Sequence, residues 1–294
     1  MAKTFLKYDQ VELDRQYDQR AWAPNAAEVI RRYTEQSERV RALLGAPHVF
    51  SYGTSLAESL DVYKTTASGA PIHVFIHGGA WRLLGKRDSA FAAETFVQSG
   101  VNFIALDFAL LPSVTLAEMV AQVRRATAWI FRNAQKFDGD PNQIHISGHS
   151  SGGHLAACIA VTDWTSEFSL PPRTVKSVIC ASGIYDLLPV RLSARNDYLQ
   201  LNSQTEHALS PIRHLGHLSA PVFVACGSLD SDEFRRQSSE FAAALGPKLA
   251  APHIELPGLN HFEVVETLAN PNAGLGRAAL NLIETDRKFG VKFC

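Results

Sequence analysis

The sequence predicts an α/β fold with a mostly parallel central sheet and helices on both of its faces. Two observations predict it. Short apolar runs of strand type alternate with helical patterns, which is typical of a parallel sheet with crossover helices. Two glycine-rich turns, His77-Gly78-Gly79 and Gly148–Gly153, each follow a predicted strand. Ligands bind at the carboxyl ends of strands in such sheets, so both turns are expected near a site.

The predicted elements follow in chain order. Residues 1–45 are polar and helical, with Pro24 near a helix start and Gly45 at its end. Leu60–Tyr63 is expected to begin the sheet as an antiparallel strand. Apolar runs predict further strands at Ile72–Ile76, Val101–Leu106, Gln143–Ser147, Val175–Ala181, Val222–Cys226 and His253–Leu256. Apolar residues at steps of three and four, or small-residue runs, predict helices at Val114–Lys136, His154–Val161, Glu233–Leu245 and Leu275–Phe289.

Two segments lie outside this alternation. Residues 186–218 are predicted to be irregular, and with residues 1–45 they could form a small lid over the crevice or decorate the surface. The 294 residues are otherwise expected to form a single domain, 1–294.

Composition narrows the classes of partner. The formal net charge is −1, so no basic field indicates nucleic acid or anionic lipid. No run resembles a signal-peptide core or a membrane span. Of the four cysteines, Cys158, Cys180 and Cys226 lie in apolar runs and Cys294 ends the chain. We expect a reduced, cytoplasmic protein without metal or cofactor that binds a small-molecule substrate; a homodimer is left open.

A G-x-S-x-G pattern predicts a nucleophile. Gly148 and Gly152 flank Ser150, with a predicted strand before and a helix after, as in a nucleophile elbow. Ser151 is the weaker candidate because His149 would crowd the turn at its −2 position. Ser151 is instead expected to supply a backbone N–H to an oxyanion hole. The alternative is a tight turn ahead of a core helix.

A serine nucleophile needs a base and an acid, which follow it in the order Ser, Asp/Glu, His in α/β-hydrolases. His261 is the predicted base, since it lies in a turn-rich loop after the last strand. Asp230, in the loop after Val222–Cys226, is favoured as the acid over Asp232. Asp232 can instead stabilise the amino-terminal end of the next helix, as an N-cap or first-turn residue. His207, His214 and His217 remain candidate ligand contacts.

His77-Gly78-Gly79 matches the H-G-G type of oxyanion loop, in which glycines let the backbone approach the developing negative charge. Gly78 and Gly79 are the predicted donors beside Ser151. Trp81 either lines the substrate pocket or packs under this loop. His149 is a second candidate substrate contact.

Six stretches together resemble a known family: Tyr17–Arg20, Ser59–Tyr63, Phe75–Trp81, Gly148–Ala156, Asp230–Ser238 and Asn260–Phe262. They are similar to kynurenine formamidases (arylformamidases), within the hormone-sensitive-lipase-like esterases of the α/β-hydrolase fold. The resemblance implies Ser150 as nucleophile, Asp230 as acid and His261 as base. Ala80 and Asn260 depart from the family's usual residues near the pocket.

The leading hypothesis is therefore a serine hydrolase that cleaves a small-acyl amide, such as the aryl formamide N-formylkynurenine, through an acyl-enzyme. A carboxylesterase for short acyl esters is the alternative. A hydrolase fold retained as a small-molecule receptor is a third reading, which the presence of all three triad residues disfavours.

Overall fold

An eight-stranded sheet forms the centre of the computed structural model, which describes residues 3–248 and 250–289. The strands are β1 (His48–Ser51), β2 (Ser59–Tyr63), β3 (Ala70–Ile76), β4 (Asn102–Leu106), β5 (Gly139–His149), β6 (Ser177–Ala181), β7 (Val222–Gly227) and β8 (Ile254–Leu256). Their order is β1-β2-β4-β3-β5-β6-β7-β8. β2 pairs antiparallel with β1 and β4, and every later pairing is parallel. The predicted mostly parallel sheet is confirmed.

Helices connect the strands and cover them. They are α1 (Gln10–Tyr17), α2 (Ala26–Leu44), α3 (Ala93–Gln98), α4 (Leu116–Asn133), α5 (Ser151–Ala160), α6 (Trp164–Phe168), α7 (Leu188–Leu192), α8 (Asn196–Leu199), α9 (Ser203–Ala208), α10 (Asp232–Leu245), α11 (Glu263–Glu266) and α12 (Gly274–Phe289). Short 3₁₀ turns lie at Gln19–Ala21, Lys86–Asp88, Ala134–Phe137, Pro211–Arg213, Leu215–His217, Gly246–Lys248 and Thr267–Ala269. The predicted helices are present, with ends displaced by a few residues.

Both faces of the sheet are buried. Along β3, Ile72, Val74 and Ile76 pack into one apolar cluster, with side chains of α1, α4, α5 and α10. Phe75 packs into the other cluster, with side chains of α2, α3 and α12. This alternation follows from the two-residue period of a strand. Helices therefore cover both faces, as predicted.

Two parts of the chain differ from the prediction. Residues 186–218, predicted as irregular, contain α7, α8 and α9; helices of four to six residues are too short to show a helical period. Strand β1 was not predicted, because this edge strand is mostly exposed and lacks an apolar pattern.

The predicted domain limits include residues 1, 2, 249 and 290–294, which lie outside the described residues, as does Cys294. No helix in the described ranges combines the length and the hydropathy that crossing a membrane requires.

Candidate active site

Ser150 lies on a strained turn between β5 and α5. Its φ and ψ of 56° and −122° are unusual for a residue with a side chain. The flanking glycines permit this turn: a Cβ at Gly148 would lie 2.1 Å from the carbonyl oxygen of Gly152. One at Gly152 would lie 2.2 Å from the carbonyl oxygen of Ile76. The turn has the geometry of a nucleophile elbow.

A chain of hydrogen bonds connects Ser150 to a buried carboxylate. The Ser150 hydroxyl lies 2.9 Å from Nε2 of His261. The other ring nitrogen, Nδ1, lies 2.6 Å from Oδ1 of Asp230. In the neutral ring with its proton on Nδ1, His261 donates to Asp230 and accepts from Ser150. All three residues are buried.

Asp230 is held as an acceptor. Its Oδ2 accepts from the Ser182 hydroxyl at 2.7 Å and from the Gly227 amide at 2.8 Å. Burial acts to raise the pKa of Asp230, but the charge and hydrogen bonds of His261, Ser182 and Gly227 outweigh it and hold that pKa below its usual value. Asp232 instead begins α10 and forms an exposed ion pair with Lys7 at 3.2 Å. The structure thus brings Asp230, rather than Asp232, to His261.

Two side chains hold the loop that carries His261. His149 donates from Nε2 to the carbonyl oxygen of His261 at 2.7 Å. Burial lowers the pKa of His149 to about 3, so its ring is neutral at pH 7. Asn260 accepts from the Phe262 amide at 3.0 Å and donates to the Asn25 side chain at 2.8 Å. Asn260, one of the two departures from the family pattern, therefore holds the backbone of this loop.

The loop after β3 approaches the serine closely. A Cβ at Gly78 would lie 3.1 Å from the Ser150 Cβ. Gly79 has a φ of +105°, and a Cβ there would lie 2.1 Å from the carbonyl oxygen of Leu83. The Ser151 hydroxyl accepts from the Trp81 amide at 3.1 Å, which attaches this loop to the start of α5. His77 donates from Nδ1 to the Gly78 carbonyl at 2.8 Å, so it orients the loop.

The two predicted substrate contacts differ in position. The Trp81 side chain is 1% exposed, and its indole N–H points to Nδ1 of His154 at 3.4 Å. It packs under the loop and is not among the described residues that line the cavity. His149 does line the cavity.

A cavity of about 290 Å³ opens above Ser150. Its walls come from five regions of the chain, namely Tyr17–Arg20 with Ile30 and Tyr33, Gly79–Ala80 with Leu83 and Leu84, His149 with Ser150, Arg195, and His261 with Phe262. Both segments outside the alternating pattern, 1–45 and 186–218, thus contribute to the walls. The histidines of the second segment do not: His214 and His217 line a separate cavity, and His207 packs on His214.

Two residues of this region, Ser182 and Arg195, were not predicted from the sequence. Ser182 bonds the carboxylate of Asp230 and follows the carboxyl end of β6, a position that could have indicated a role. Arg195 has no such signal, because it reaches the cavity from a segment without a long predicted element.

A hydroxyl, an imidazole and a buried carboxylate in series are the groups that nucleophilic acyl transfer requires.

Comparisons with known proteins show the family to which the chain belongs. The BD-FAE family model matches residues 60–245. Kynurenine formamidase of Danio rerio is 32% identical over 286 residues, which cover 92% of this chain and 96% of that protein. Esterase LipQ of Mycobacterium tuberculosis is 30% identical and covers 80% of this chain and 65% of its own length.

Solved structures give the same fold. A Silicibacter sp. tm1040 structure described as a candidate thioesterase superposes with a TM-score of 0.81 at 26% identity, over 92% of this chain and 99% of that chain. The carboxylesterase EstE1, from a metagenomic library, has a TM-score of 0.67 at 21% identity, over 91% of this chain and 98% of its own. The chain therefore belongs to the BD-FAE family and is a kynurenine formamidase-like hydrolase of the α/β-hydrolase fold.

Proposed function

We propose that Ser150, His261 and Asp230 are the catalytic triad of this hydrolase. The observation that carries the proposal is the hydrogen-bond chain of 2.9 and 2.6 Å that joins these residues at the base of the cavity. Nucleophile and base lie within hydrogen-bond reach, and the base is oriented by a third group, which is the arrangement that activates a serine.

The reaction proceeds in two halves. His261 takes the hydroxyl proton as Ser150 attacks the acyl carbon, and Asp230 stabilises the imidazolium. The backbone N–H groups of Gly78, Gly79 and Ser151 form the oxyanion hole, which stabilises the negative charge on the oxygen of the attacked carbonyl group. His261 then protonates the leaving amine. Water, deprotonated by His261, releases the acid from Ser150.

The substrate is an aryl formamide of the N-formylkynurenine type. Two observations support this choice. The full-length relatives in fish are kynurenine formamidases, and Ile30, Tyr33, Leu84 and Phe262 give the cavity apolar and aromatic walls that suit an aryl ring. Three buried free thiols, Cys158, Cys180 and Cys226, support a reducing, cytoplasmic location.

A carboxylesterase for short acyl esters is the second candidate. Relatives and structural neighbours named as esterases favour it, since the same triad cleaves either bond. The two candidates differ in the leaving group, an arylamine or an alcohol.

The test compares kcat/KM for N-formylkynurenine and p-nitrophenyl acetate in the same preparation, with Ser150→Ala as the background. We expect the formamide to have the higher kcat/KM, and Ser150→Ala to lose about 10⁴-fold or more in turnover on both substrates. A higher value for the ester assigns the protein to the second candidate. Equal rates for the wild type and Ser150→Ala would overturn both.

A further inference from the structure

Arg195 lies at the cavity, and its charge has no ion-pair partner among the described residues. It lines the cavity together with Ser150. Its Nε and Nη2 donate to the carbonyl oxygen of Tyr17 at 3.1 and 2.5 Å, and its guanidinium carbon lies 5.6 Å from the centre of the Tyr17 ring. These contacts fix the orientation of the guanidinium, but a carbonyl does not neutralise its charge.

Neighbouring arginines in the same segment are paired. Arg191 and Arg213 bind Glu206 at 3.3 and 2.7 Å. By contrast, no carboxylate within residues 3–248 and 250–289 forms an ion pair with Arg195, and its Nη1 is buried without a hydrogen-bond partner. A partly buried cation without an anion is costly. A planar guanidinium is also the group best suited to bind a carboxylate.

A carboxylate of the protein lies in the same wall. Asp18 lines the cavity, its Oδ1 accepts from the Arg20 amide at 3.2 Å, and it forms no ion pair with a described residue. An outer groove of about 620 Å³ adjoins the cavity, because Tyr17, Asp18, Ala80, Leu83 and Arg195 line both spaces. Of the described residues that line both spaces, Arg195 is the cation and Asp18 is the anion, and neither forms an ion pair with a described residue.

We propose that Arg195 and Asp18 bind the zwitterionic α-amino acid end of the substrate while its scissile amide lies at Ser150. Arg195 binds the carboxylate, and Asp18 binds the ammonium group. This assignment rests on the proposed function and names the part of the substrate that determines specificity. Ala80, whose side chain is a single methyl group, lines both spaces and leaves room for the chain between ring and amino acid.

Three formamides separate the two charges. N-formylkynurenine carries both, its desamino analogue 4-(2-formamidophenyl)-4-oxobutanoate carries only the carboxylate, and 2-formamidoacetophenone carries neither. kcat/KM is measured for each with the wild type, Arg195→Gln, Asp18→Asn and the control Arg191→Gln, which removes an arginine of the same segment outside the cavity.

We expect Arg195→Gln to lower kcat/KM by about tenfold or more on the two carboxylates and to leave the neutral formamide within about twofold, because a charge-assisted hydrogen bond is lost only with an anionic substrate. Asp18→Asn is expected to affect N-formylkynurenine alone. Arg191→Gln is expected to keep the wild-type kcat/KM on all three formamides.

An equal loss of kcat/KM on all three formamides with Arg195→Gln would show a structural role for Arg195 and overturn the proposal. Unchanged kcat/KM on all three with Arg195→Gln would also overturn it. If the wild type cleaves no formamide, the proposed substrate fails on its own. The pair O-acetyltyrosine and 4-methylphenyl acetate then applies the same test, with loss on the amino acid ester alone supporting the assignment and no difference contradicting it.

Discussion

At the scale of single residues, the site depends on neighbours that hold the reactive groups in place. The strained backbone of Ser150 is possible because Gly148 and Gly152 leave room for it, and His261 is held by side chains on both sides of its loop. His149 is the least expected of these neighbours. Its ring donates to the backbone carbonyl of the very residue that bonds Ser150.

His149 is therefore expected to be a positioning residue. Replacement by Leu removes the donor to the His261 carbonyl and should lower kcat by about tenfold, since a buried acceptor is left unpaired next to the base. His149→Gln, whose amide can replace Nε2 as donor, should restore most of the loss. Steady-state kinetics of both variants make the test. Equal kcat for the Leu and Gln variants would contradict this role.

The three residues of the proposed triad could be selected from the sequence because motif and chain order constrain the choice. Ser150 follows from its glycines, and His261 and Asp230 from their loops after late strands. The partner of Arg195 could not be predicted, because it is a backbone carbonyl, that of Tyr17, far away in the chain and in no motif.

At the scale of elements, the amino-terminal segment is fixed to α10 by a buried polar network. The Tyr17 hydroxyl lies 3.0 Å from Glu233 Oε1, and Gln19 lies 3.1 Å from the Ser231 hydroxyl. Glu233 is fully buried and accepts two hydrogen bonds from Arg236, at 2.8 and 2.7 Å. Two stretches of the family resemblance, Tyr17–Arg20 and Asp230–Ser238, thus contact each other. The amino-terminal segment thus forms a wall of the cavity that α10 holds in place.

This network yields a matched pair of variants. Glu233→Ala should lower the free energy of unfolding by about 3 kcal/mol, because it leaves Arg236 and Tyr17 without a buried acceptor. Glu240→Ala removes another carboxylate that binds Arg236, but Glu240 is 55% exposed, and surface pairs contribute only about 0–1 kcal/mol. Urea unfolding of both variants makes the comparison. Similar losses in the two would contradict the network's role.

Strands β2 to β8 were predictable because each contains a short stretch rich in apolar residues. The short helices of residues 186–218 and the exposed strand β1 were not, since neither carries a periodic apolar pattern. The position of residues 1–45 was not predictable either, because it depends on contacts with α10 that are distant in sequence.

At the scale of the whole molecule, buried histidines link stability to pH. Burial lowers the pKa of His145 and His149 to about 3 and that of His154 to about 4, and it lowers the pKa of His73 well below its ordinary value. Between the ordinary value of 6.5 and these values, the unfolded chain binds more protons than the folded one. The free energy of unfolding must therefore fall as the pH falls through this range. The lowered pKa of Asp230 acts in the same direction at lower pH.

From pH 7 to pH 5.5 we expect the free energy of unfolding to fall by several kcal/mol, since each such histidine contributes up to about 1.4 kcal/mol per pH unit. His145→Asn should reduce this fall in the free energy of unfolding by about the contribution of one histidine. His217→Asn, a substitution of a histidine at an exposed position, is the matched control. Urea unfolding at several pH values gives the slopes. A slope that His145→Asn does not alter would contradict the assignment of a buried neutral His145.

The central claim, that Ser150 is the nucleophile of a serine hydrolase, is tested most directly by covalent labelling. The intact protein is treated with a fluorophosphonate probe, and the modified residue is identified by peptide mass spectrometry. We expect one adduct, on Ser150, that appears in step with the loss of activity and is absent in Ser150→Ala. Labelling of Ser151 in its place, or full activity with Ser150 unmodified after prolonged treatment, would contradict it.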